Sequence, residues 1–127
     1  MTVKYREVVR GVKDFLPGEA ALKREIENQT VELFERWGYK EVVTPTFEYL
    51  EVIEAGAGTG IRDEVFLFQD RDGRVVALRP EMTIPIARLV ATRMADREGP
   101  LRLFYNANVF RHTQTQMGRY KEFYQLG

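Results

Sequence analysis

From Phe15 to Pro45 the apolar residues recur first at helical and then at strand spacing, and the change of period falls at Gly38. Leu22, Ile26, Leu33, Phe34 and Trp37 form one stripe of a helix predicted over about residues 18 to 37. Pro17 stands at its start, Glu19 places a negative charge in the first turn, and Gly38 can take the left-handed conformation that ends it. Residues 39 to 44 then alternate as a short strand that Pro45 stops or pushes to an edge. The four glycines of AGAGTGIRDE, residues 55 to 64, read as a mobile loop. GAGTG has neither the lysine-plus-hydroxyl ending of a P-loop nor dinucleotide spacing.

VFLFQDRDGRVVALRP predicts a hairpin, with strands at about 65–69 and 74–79 joined through Gly73. Thr83 can cap a helix whose apolar positions Ile86, Leu89, Val90 and Met94 repeat at three and four, with Pro85 in its first turn and an end near Asp96. The last segment reads as a strand from about 101 to 110, a polar loop through Gly118, and a returning strand from 119. Helices and strands are mixed and successive strands are expected to be antiparallel, so the fold class is α+β.

Composition narrows the chemistry. The 127 residues, 44% of them apolar, suit one small domain or a piece of one. Nineteen basic and nineteen acidic side chains cancel, so any polyanion site must be local. Without cysteine and with a single histidine, disulfides, structural zinc and multi-histidine metal clusters are excluded, and no metal or cofactor is expected. Serine is absent, so His112 has no serine to activate and reads as a side chain beside a strand end. MTVKYREVVRGVKDF has no apolar core of signal-peptide length and nowhere do 18 apolar residues run together, so a cytoplasmic protein with no membrane partner is expected.

Two local features carry candidate chemistry. Between 101 and 127 Arg102, Arg111, Arg119 and Lys121 stand against Glu122 alone, and Arg111 and Arg119 flank the predicted turn, where both could fork onto a phosphate or carboxylate. A solvated hairpin end fits the same pattern. In Arg79-Pro80-Glu81-Met82-Thr83 a strand gives way to a helix, so a carboxylate there can accept from an ammonium group while the first helical amides can serve an anion. On spacing alone Glu81 is as readily a charge that stabilises the helix start.

GVKDFLPGEA, WGYKEVVTPTFEYLE, DRDGRVVALRPEMTIPIAR and NVFRHTQTQMGRYKEFYQLG occur in the order and approximate spacing of the histidyl-tRNA synthetase family, a class II synthetase fold, and the resemblance covers nearly the whole chain. EMTIPIARLVATR resembles the branch that serves as regulatory subunit of ATP phosphoribosyltransferase; a synthetase usually has Glu-Gly-Thr there. The resemblance implies an antiparallel sheet with flanking helices, of which this chain holds motifs 1 and 2 as the amino-terminal part. It implies a noncatalytic subunit in histidine biosynthesis, partnered by the short-form ATP phosphoribosyltransferase catalytic subunit, with histidine as effector, a homodimer through motif 1, and no tRNA partner. Carried over by position, Glu81, Met82, Thr83, Arg111 and Gln125 match a pocket for a histidine-like amino acid, and Arg111 and Arg119 an anion or phosphate site. The synthetase pattern has a glutamate two residues after its motif 2 arginine to read adenine, and this chain has Thr113, which cannot supply that charge. A fragment of an ATP-dependent histidyl-tRNA synthetase, or a dimerisation module with a vestigial pocket, are the other readings. Because the family continues past motif 2, unpaired strand edges and apolar faces are expected on this portion.

Overall fold

A computed structural model describes residues 5–112 and 120–127. The first helix, α1 (Pro17–Arg36), follows the periodicity closely: Pro17 occupies the first turn, and Gly38 ends the segment at φ 81°. Its packing differs from expectation. Glu27 is the buried position, and Phe34 meets the Phe104 ring at 5.2 Å between centroids. Leu22, Ile26, Leu33 and Trp37 are more than half or about half exposed. The face that meets the sheet runs Lys23, Glu27, Val31, Phe34, one position round from the stripe, because Glu27 is held there by Lys23 and by the amide of Asn106.

The predicted strand at 39–44 is reduced to β1 (Lys40–Glu41), which pairs with β5 (Leu103–Phe104) in parallel, against the expectation of antiparallel neighbours throughout. A parallel pair needs a long crossover, and the intervening sixty-odd residues supply one as a compact subdomain. That subdomain is a three-stranded antiparallel sheet, in the order β2 (Phe47–Tyr49), β4 (Val75–Leu78), β3 (Leu67–Gln69), covered by α2 (Leu50–Ala57) and α3 (Thr83–Arg93). Leu50, Ile53, Val65 and Ala77 form its core, with Ile61 and Ile84 packed against it. The β3–β4 hairpin turns through Gly73 at φ 83°, as its Asp-Gly sequence predicts.

The expected mobile loop at 55–64 is corrected. Its first residues belong to α2, Gly58 breaks the helix at φ 83°, and Thr59–Glu64 form a 3-10 helix whose last carbonyl accepts the His112 N–H at 2.8 Å. Gly56 permits this packing: a β-carbon there would stand 2.6 Å from Ile84 Cγ1, so α2 and the start of α3 approach closely.

The third sheet, β6 (Asn106–Phe110) against β7 (Glu122–Leu126), is antiparallel with Ala107 opposite Gln125 and Val109 opposite Phe123. Asn106, Asn108, Glu122 and Tyr124 lie on the opposite face, towards α1, where Phe15 packs edge-on to Tyr124. No helix among the described residues is long and apolar enough to cross a membrane.

Candidate functional site

Every helix leaves its first amides without intrahelical partners. In α3 the N-cap position is Met82, which offers no side-chain cap, and Thr83 is the first helical residue rather than the cap. Glu81 fills the role instead. Its Oε2 accepts the Thr83 N–H at 2.7 Å and its Oε1 accepts the Ile84 N–H at 2.8 Å. Each carboxylate oxygen can accept twice, so one direction on each oxygen is taken by backbone and another stays open. The carboxylate is thereby fixed in orientation without being used up.

Arg111 comes to the same corner from the end of β6. Its Nε donates to the carbonyl of Pro80, the residue before Glu81, at 3.1 Å, and its terminal nitrogens make no hydrogen bond to other described residues. The backbones are also stitched, because the Phe110 N–H donates to the Arg79 carbonyl at 3.0 Å. Segments 79–81 and 110–111 therefore run side by side, with the Glu81 carboxylate and the Arg111 guanidinium each tied to backbone there. Alternation two residues beyond Val109 brings Arg111 to the face of β6–β7 that carries Gln125. Gln125 sits opposite Ala107, so it is four positions from Arg111, about 13 Å along the strand. Met82 is buried and Thr83 is exposed.

Arg119 and Thr113, which the sequence also singles out, lie outside the described residues. His112 packs at a tilt against Phe66 with centroids 5.2 Å apart, a packing role that accords with its reading as a strand-end side chain. A cavity of about 410 Å³ lies elsewhere, beside the half-buried Arg88–Glu48 ion pair, and is lined by Phe47, Tyr49, Val52 and Val76 among others.

The sequence reading missed Arg79 and Asn108. Arg79 is only 5% exposed, and its guanidinium forms no ion pair with a carboxylate among the described residues. It donates from Nε to Asn108 O at 2.7 Å, from Nη1 to Thr44 O at 2.9 Å and Pro45 O at 3.4 Å, and from Nη2 to Asn108 Oδ1 at 2.8 Å. Burial pushes its affinity for the proton below the ordinary arginine value. The Asn108 amide passes the contact on, donating to Glu122 Oε2 at 2.8 Å. The legible signals were an arginine ending a buried strand and an asparagine inside another.

Comparison with known proteins supplies the family. A family model described as histidyl-tRNA synthetase matches residues 11–127. The chain belongs to the histidyl-tRNA synthetase family. Within that family it is 54% identical over 117 residues to the ATP phosphoribosyltransferase regulatory subunit of Moorella thermoacetica, covering 92% of this chain and 30% of that protein. It is 48% identical over 118 residues to the histidine–tRNA ligase of Methanocaldococcus jannaschii, covering 93% of this chain and 28% of the ligase. Among solved structures it is similar to an ATP phosphoribosyltransferase regulatory subunit/histidyl-tRNA synthetase from Bacillus halodurans C, with a TM-score of 0.84, 41% identity, and coverage of 96% of this chain and 31% of that one. The histidyl-tRNA synthetase-like fold expected from the sequence is thus the fold observed. The chain spans about 30% of the length of these relatives.

Proposed function

We propose that this chain is the amino-terminal part of a noncatalytic regulatory subunit of ATP phosphoribosyltransferase, acting at the first step of histidine biosynthesis and holding histidine as a feedback effector. The observation that carries the reading is the stitched corner of Glu81 and Arg111. A zwitterion needs an acceptor for its ammonium group and a donor pair for its carboxylate, and the open sides of these two groups supply both. In this reading Met82 and Thr83 line the site, and Gln125, on the same face of β6–β7 as Arg111, meets the remainder of the ligand. Thr113 in place of an acidic adenine reader supports amino-acid binding without activation by ATP. Arg111 with Arg119 would form the anion-binding edge.

No group at this corner is a nucleophile, and none is required: regulation is a coupling free energy between histidine here and the partner's active site, typically about 1–3 kcal/mol. The same chemistry in a synthetase would stabilise charge developing on phosphorus, and the ligase relative from Methanocaldococcus jannaschii favours keeping that second reading. The two separate cleanly in the full-length protein. A regulatory subunit restores activity and histidine sensitivity to a short-form ATP phosphoribosyltransferase and gives no histidine-dependent pyrophosphate exchange; exchange at enzymatic rates without partner activation would reverse the assignment.

A further inference from the structure

The buried Arg79 side chain joins the end of the β2–β4 ladder to β6, which belongs to a separate sheet. Thr44 and Pro45 lie on the segment entering β2, Arg79 directly follows β4, and Asn108 lies in the middle of β6. Its backbone does the same work, with its N–H donating to Thr46 O at 3.1 Å and its carbonyl accepting from Phe110 at 3.0 Å. A planar fork of fixed donors meets the carbonyls of two segments, 44–45 and 108, and the Asn108 amide oxygen at once, and a lysine ammonium presents fewer donors from a single point.

Stability alone is a poor reason for this arrangement. A desolvated cation without a carboxylate partner costs free energy that well-packed apolar side chains avoid. What the cluster does supply is a fixed spacing: Arg79 immediately precedes Pro80, whose carbonyl holds Arg111, and Glu81, whose carboxylate holds the first amides of α3. Asn108 lies two residues before Phe110, and its link to Glu122 fixes β7 against β6 one residue from Lys121, whose carbonyl holds the Arg111 N–H at 2.8 Å.

We infer that Arg79 is a positioning residue for the amino-acid site, holding the Pro80–Glu81 and Phe110–Arg111 segments in register through Asn108. The inference rests on the reading of that corner as a ligand site, but its geometric part can be read without ligand. In the full-length protein, Arg79→Lys keeps the charge and loses the fork. Amide hydrogen exchange should quicken at least tenfold at Phe110, Thr83 and Ile84 while the α2 amides keep their protection, and affinity for histidine should fall at least tenfold. If Arg79→Lys does not fold, Asn108→Ala, which removes the Nη2 acceptor and the link to Glu122, takes the same measurements with the same expected pattern. Unchanged exchange at those three amides, or a rise shared equally by α2, would overturn the inference by leaving Arg79 either idle or merely structural. Should the unaltered protein bind no histidine, the ligand reading fails, and the exchange pattern alone still decides whether Arg79 sets the register.

Discussion

Glu81 and Glu27 illustrate how differently two carboxylates of one chain are used. Glu81 commits one side of each oxygen to the first amides of α3 and presents the other side outward, so its helix-capping role and its proposed ligand role are compatible. The sequence pattern posed these as alternatives because spacing cannot show that a carboxylate has acceptor capacity to spare. Glu27, by contrast, is inward and fully engaged, accepting first from the Asn106 amide and then from Lys23. Those hydrogen bonds hold its carboxyl below the ordinary value of 4.5, and burial opposes them only in part. A depressed native value means that the unfolded chain takes up the proton more readily. The Glu27 contribution is therefore complete above about pH 4.5 and is lost as pH falls through the lower native value. Thermal midpoints of the full-length protein measured from pH 7 to pH 3 should show Glu27→Gln less stable at pH 7, with the gap narrowing towards pH 3; a constant gap would contradict this account of Glu27.

At the level of elements, α1 was legible in its bounds and not in its orientation. Periodicity identifies which residues share a face, but it cannot say which of two adjoining faces this portion covers. Leu22, Ile26, Leu33 and Trp37 are 62%, 52%, 50% and 72% exposed. A stripe of that size suits a further surface, and the proposed homodimer through motif 1 is the one the reading supplies. Leu33→Glu with Trp37→Glu should convert a dimeric full-length protein to monomer in light scattering, while a protein that stays dimeric would remove α1 from the interface. The β3–β4 hairpin and α3 were legible because Asp-Gly and a proline in a first turn act locally. The segment from Phe47 to Ala57, β2 and α2, was missed, since a three-residue strand running straight into an eight-residue helix is too short for either period to register. The glycines of residues 55–64 suggested mobility, but Gly56 serves close helix packing and Gly58 a helix end.

For the molecule as a whole, the parallel β1–β5 pair and the Arg79 cluster bring together residues far apart in sequence, and that is where sequence reasoning stops. Glu81 and Arg111 were named from local charge patterns and then from family resemblance; that their segments run side by side depends on the Pro80 carbonyl and the Phe110 amide, contacts that no local pattern encodes. Arg79 was invisible for the same reason, since a buried arginine with carbonyl partners leaves no periodic trace. The central claim is that this corner grips an amino acid by both of its charges. Isothermal titration of histidine into the full-length protein tests it, with Glu81→Gln and Arg111→Ala as the two comparisons. Saturable binding that weakens at least tenfold in each variant, about 1.4 kcal/mol or more, is the expected result. Equal affinity in all three proteins would place histidine elsewhere and contradict the account.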